Sequence, residues 1–211
     1  RIQPRIVAPQ TQDEVKMILT LLTFAVSSLA AVSGTPHDLS TGNTTYTTYA
    51  GNNDQICVYC HTPHNAQVGA SAAPLWNKTV TPGPYSMYTS ATFNGGASTM
   101  GPQSAACMAC HDGSYNVDSY GYSWANPSGT TGTIAITGSA DLSTNGLKDD
   151  HPIGFSYATS TAADADIKTN PSTLPLFSGN MECATCHNVH DYGATSSNGL
   201  APFLRQTQTS S

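Results

Sequence analysis

The sequence predicts a mostly irregular, loop-rich chain with short helices and minimal strand. Three observations predict it. Hydrophobic residues make up 38% of the 211 residues, against about 45–50% (glycine included) in ordinary globular chains. Gly, Ser, Thr, Asn and Pro fill the gap. No stretch after residue 33 sustains a 3.6-residue apolar period, so long amphipathic helices are not expected. All six cysteines fall in three copies of one five-residue pattern. A chain so poor in Leu, Ile and Val buries something other than its own side chains, or stays irregular.

The composition does not read as disordered: two Trp, ten Tyr and five Phe accompany a modest net charge of -6. Only seven residues are Lys or Arg. A phosphate backbone needs a clustered basic face, so nucleic acid is not an expected partner. The length suits one domain, placed at residues 34–211.

The three cysteine patterns are Cys57-Val58-Tyr59-Cys60-His61, Cys107-Met108-Ala109-Cys110-His111 and Cys183-Ala184-Thr185-Cys186-His187. C-x-x-C-H is the attachment signature of c-type haem. Two thiols three residues apart on a short helical turn reach the two vinyl groups of one porphyrin. The histidine that follows aims its imidazole at the iron as proximal ligand. Other readings of paired cysteines fit less well. A redox C-x-x-C does not need the histidine, structural zinc wants its pairs in even number, and neighbouring C-x-x-C pairs are poor bridges across a fold. Three covalent haems, and a haem-cored fold with a short helical turn at each motif, are the expectation.

Covalent haem is attached outside the cytoplasm, so the chain is expected to be exported. Residues 17–32 (MILTLLTFAVSSLAAV) form an apolar run preceded by Lys16, with the small residues Ser28, Ala30, Ala31 and Ser33 near its end. Residues 1–33 therefore read as a secretory signal peptide, or as an apolar segment retained and packed on a partner. The run is short for a membrane span, which needs about 20 residues.

Two spacers rich in Gly, Ser and Thr, 67–106 and 113–150, separate the motifs. Within the second, residues 131–138 (TGTIAITG) alternate like a short strand. The scattered aromatics read as core filling around the cofactor edges. Asn43-Thr44-Thr45 and Asn77-Lys78-Thr79 match N-glycosylation acceptors, a pattern common by chance.

Seven histidines are present. His61, His111 and His187 are the proximal set. His37, His64, His151 and His190 remain for three distal positions. His37 and His64 follow a proline and His151 precedes one, and proline fixes local backbone geometry. Met87, Met100 and Met181 are rival axial ligands, made unnecessary by the four histidines. His64 and His190 stand three residues after a proximal histidine. A residue so placed lies on the same side of its own ring, so each is expected to reach a neighbouring iron. Bis-histidine ligation closes both axial positions, which favours electron transfer over catalysis.

The segments GTPHDLS (34–40), CVYCHTPHNA (57–66), APLWNK (73–78), CMACHDGS (107–114), DHPIGFSY (150–157), LPLFSGNMECATCHNVHD (174–191) and FLR (203–205) resemble the doubled C-x-x-C-H multihaem cytochrome family. The resemblance covers most of residues 34–205. It implies axial roles for His37, His64 and His151. It also implies, from relatives that polymerise, an extracellular cytochrome filament in which a histidine of one subunit ligates a haem of the next.

Three functions are thus in view. The first is a cell-surface or extracellular electron conduit, a subunit of a head-to-tail helical filament that exchanges electrons with other redox proteins or extracellular acceptors. A contact of that kind is heterologous and does not close. The Gly/Thr-rich arm 34–52 could extend onto a neighbour, which makes His37 the first expectation for an inter-subunit ligand and His64 the second. The second function is a discrete periplasmic triheme carrier or redox-complex subunit, although such carriers often dock through charged faces. The third, a multihaem reductase, needs a five-coordinate iron and a local Lys, Arg or His cluster, and no such cluster is seen. An enzyme is not expected.

Overall fold

In the computed structural model, residues 32–66, 73–80, 83–121, 129–169, 171, 173–191 and 203–206 are described. Apart from its last residue, the apolar run at 17–32 lies outside them. Short 3-10 turns occur at Thr47–Tyr49, Ile56–Tyr59 and Gly138–Ala140. Helix α1 spans Pro102–His111, helix α2 spans Tyr157–Ala163 and helix α3 spans Cys183–Cys186. Strands β1 (Phe155–Ser156) and β2 (Asn180–Met181) pair antiparallel, with Phe155 opposite Met181. The chain is loop-rich, with few short helices and a two-residue ribbon, as its composition predicts.

Every C-x-x-C-H motif begins on or within a helical turn. The first starts on the turn Ile56–Tyr59, the second closes α1, and the third begins with α3. The long second turn has local causes. Gly101 stands at its N-cap and Pro102 occupies the first helical position, where a missing N–H costs nothing. Ala105, Ala106 and Ala109 follow and are buried, adding good helix formers with little side-chain entropy to lose. The chain leaves the helix through Gly113, whose φ is +76°.

Helix α2 has no counterpart in the sequence reading. Its seven residues (YATSTAA) are too few to show an apolar period, and Ser156 caps it by accepting the N–H of Thr159 at 3.3 Å.

The apolar interior is divided. One cluster centres on Leu39, Tyr59 and Val117, with Cys60, Cys110, Ile134 and Ile136 around it. The other centres on Met108, Leu147 and Ile153, with Met87, Met100 and Cys183 around it. Both are small, in keeping with the low hydrophobic content, and motif cysteines stand at the edge of each. Met87 and Met100 thus serve as packing, and Met181 lies in β2. The aromatics also pair with one another: Phe93 meets Phe155 at 5.2 Å and Tyr59 meets Tyr120 at 5.5 Å, both edge to face.

The strand expected at 131–138 does not form. Thr130 makes an isolated bridge with Tyr120, and the chain beyond runs extended without a ladder. The cause is a side chain that takes the donors a neighbouring strand would need. The Asp118 carboxylate accepts the N–H of Thr133 at 2.8 Å and of Ile134 at 2.8 Å. Gly132 lets the backbone come this close. A Cβ there would stand 2.1 Å from Asp118 Oδ1 and 2.7 Å from the Ser119 nitrogen. Gly132→Ala is therefore expected to destabilise the protein by about 1–3 kcal/mol, the usual cost of overpacking. A denaturant midpoint equal to wild type would contradict this.

Both glycosylation matches fall on occupied asparagines. Asn43 is buried, its Nδ2 donating to the Thr35 and Asp38 carbonyls at 3.0 and 2.7 Å. Asn77 is buried and donates to the Val58 carbonyl. Neither amide is presented for modification in the folded chain. Among the described residues, no helix is long and apolar enough to cross a membrane.

Candidate functional site

The three motif histidines are each paired with a histidine from elsewhere in the chain. The His61 and His190 rings have centres 6.2 Å apart and an interplanar angle of 25°. His187 and His151 stand 6.2 Å apart at 23°. His111 and His37 stand 6.3 Å apart at 45°. Near-parallel rings in face contact would lie closer. With metal–nitrogen distances of about 2.0–2.1 Å, and a nitrogen about 1.1 Å from its ring centre, two imidazoles on opposite sides of one ion have centres roughly 6.3 Å apart. All three pairs have the spacing of two axial ligands. His64 belongs to none of them and is exposed.

The hydrogen bonds of the motif rings orient them. His61 Nδ1 lies 2.7 Å from the Pro74 carbonyl oxygen, and His111 Nδ1 lies 2.7 Å from that of Ala140. A carbonyl only accepts, so it fixes the tautomer with a proton on Nδ1 and leaves the Nε2 lone pair for a metal. Two buried polar atoms at these rings lack any partner among the described residues: His37 Nδ1, and the indole Nε1 of Trp76, which stands edge-on to His61. Burial first, then the neighbouring His111, His187 and His190, push His37 down to about 4. Burial, then His61, lowers His190. Both effects favour the neutral imidazole, which is the ligating form.

The thiols of different motifs adjoin. Hydrogen bonding to Cys183 and burial push Cys107 up, while the same contact lowers Cys183. Burial raises Cys110 to about 11, and Cys60 is among the charges that add to the rise. The second motif therefore meets the third through Cys107, while its Cys110 and the first motif's Cys60 pack against one apolar cluster. Glu182 ties the second and third together. It is buried, accepts the Gly101 N–H at 3.1 Å and the Ser104 hydroxyl, and stands directly before α3. The Ser104 hydroxyl oxygen in turn accepts the Cys183 N–H at 2.9 Å.

A repeated backbone lock holds the first and third motifs. After the first, Thr62 donates its N–H to the Leu75 carbonyl at 2.8 Å, and Asn77 donates to that of Cys60 at 3.0 Å. After the third, Asn188 donates to the Phe203 carbonyl at 2.7 Å, and Arg205 donates to that of Cys186 at 2.8 Å. Leu75 and Phe203 share a φ of +58°, a conformation uncommon for bulky side chains. The sequence carries the signal, Ala73-Pro74-Leu75 and Ala201-Pro202-Phe203, each downstream of a C-x-x-C-H-x-x-H. It was not singled out from sequence as an orienting device.

His37 is the first expectation for an inter-subunit ligand. His37 does not extend away on the 34–52 arm. That arm folds back, with Gly51 donating to the Leu39 carbonyl at 2.8 Å and Asn43 bracing the Thr35–Asp38 turn. His37 is thereby set against His111, with the Phe203 ring edge-on at 4.5 Å. His190 faces His61 and not His187, in the direction that its spacing predicts.

No protein-family model matches the chain, and no curated protein matches it. Among the described residues, no three of His, Cys, Asp and Glu converge as a cage for a bare ion. The candidate donors come instead as three pairs of histidine rings.

Proposed function

We propose that the chain is a multihaem c-type cytochrome that carries electrons through three closely packed bis-histidine haems. The observation that carries this reading is the three-fold recurrence of a C-x-x-C-H histidine opposite a second histidine at 6.2 to 6.3 Å. Cys57, Cys60 and His61 with His190 would hold one haem. Cys107, Cys110 and His111 with His37 would hold the second, and Cys183, Cys186 and His187 with His151 the third. When bound, each haem supplies a one-electron iron couple. With a haem bound, each histidine pair would supply both protein ligands to the iron and leave no position for a substrate, so the assignment is electron transport and not catalysis. The packing of Cys60 and Cys110 against one apolar cluster, and the hydrogen bond between Cys107 and Cys183, support a close-packed row.

The assembled form proposed is a subunit of an extracellular or cell-surface conductive filament. The resemblance favours it, as do the scarcity of charge and an exposed His64 outside every pair. One observation favours a second reading, a discrete periplasmic triheme carrier: all three pairs close within one chain. Light scattering and electron microscopy of the haem-loaded protein separate the two. Open-ended polymers are expected. A monodisperse particle of one chain at high concentration would establish the carrier instead.

A further inference from the structure

Lys78 is 1% exposed, and a charged side chain is almost never buried so completely without a charged partner. Its ammonium donates to three neutral oxygens: the Tyr59 carbonyl, Asn77 Oδ1 at 3.2 Å and the Ser119 carbonyl at 3.2 Å. Three acceptors match the three N–H bonds of a protonated amine. Among the described residues, it makes no ion pair. The carboxylate of Asp118, next to Ser119, is engaged by backbone N–H groups of Thr133 and Ile134. The ammonium is therefore held by dipoles in a place that water does not screen.

Its position is specific. Tyr59 lies between the two cysteines of the first motif, and Ser119 lies in the loop after the second. Tyr59 belongs to the apolar cluster that Cys60 and Cys110 pack against, whereas Cys183 of the third motif packs against the other cluster. The cation at the third motif is Arg205, which donates its Nε to the Ala184 carbonyl at 2.9 Å but is exposed, so water screens its charge. The two backbone locks make the asymmetry visible. Lys78 follows Asn77 after the first motif, whereas the neutral Gln206 follows Arg205 after the third.

We propose that Lys78 is a positioning residue whose buried charge makes the first and second haem sites easier to reduce than the third. This rests on the haem reading above. Reduction lowers the charge of a site by one unit, so a fixed positive charge nearby favours the reduced state and raises the midpoint potential. At low effective dielectric this influence is strong and decays with distance. The bias gives the row a direction, with electrons drawn from the third site toward the first two.

The test is spectroelectrochemical titration of the full, haem-loaded chain, with haem counted by intact mass. Lys78→Met and Lys78→Gln should each lower two of the three midpoint potentials and leave the third in place. The Gln variant keeps two N–H donors for the carbonyls should the Met variant fail to fold. Lys78→Arg should restore the wild-type order. Neutral variants carrying three haems with unmoved potentials, or with all three lowered equally, overturn the proposal while the haem reading stands. A wild-type chain without haem overturns the functional reading and this one together.

Discussion

Replacing Cys107 and Cys110 together by Ala is expected to leave two covalent haems per chain in place of the three proposed for wild type. Intact mass read under denaturing conditions counts them directly. The effect on the assembled molecule should exceed one lost cofactor, because the second motif is the middle of the row. Cys110 shares an apolar cluster with Cys60, and Cys107 is hydrogen-bonded to Cys183, so its loss is expected to separate the outer two sites. Helix α1 also carries Met108, fully buried in one of the two apolar clusters. A haem held there would be a large apolar plate beside such small clusters, so a lower denaturation midpoint should accompany the lower mass. A wild-type chain whose mass shows zinc and no haem would end this reading.

What the sequence made legible was chemistry at fixed short spacing. C-x-x-C-H dictates a helical turn wherever it occurs, and all three copies have one. The three-residue offset of His190 from His187 points it toward another motif, and its ring stands 6.2 Å from that of His61. The loop-rich fold followed from a deficit of apolar residues and of period. The rest depended on contacts between distant segments. Whether residues 131–138 pair as a strand depends on where the Asp118 carboxylate lies, and alternation alone does not encode that. The position of His37 depends on how the 34–52 arm closes, which rests on Asn43 hydrogen bonds to two carbonyls. Gly and Thr in the arm suggested reach, but an asparagine inside it decided for a compact turn. Lys78 was legible only as a residue in a shared motif, since burial of a lone cation is a property of the fold.

The distribution of histidines gives the other large expected effect. Replacing His37 by Ala should convert one of the three ferric sites from low-spin to high-spin or water-ligated, about one third of the iron signal. Replacing His64 by Ala should leave all three low-spin in the isolated chain, because His64 enters no histidine pair. His37 stands 6.3 Å from His111 and packs edge-on against Phe203 at 4.5 Å, so the truncated side chain leaves a ring-sized space beside an aromatic wall. Imidazole added from solution should enter that space and restore the low-spin signal. A change in haem count or a general loss of folding would not be rescued in this way, which separates lost ligation from lost structure. Electron paramagnetic resonance and the long-wavelength absorption of high-spin haem read both variants. A high-spin site in His64→Ala, together with an unaltered spectrum in His37→Ala, would exchange the roles of the two histidines. It would return His37 to the surface arm and make the crossing ligand the one that the sequence first suggested.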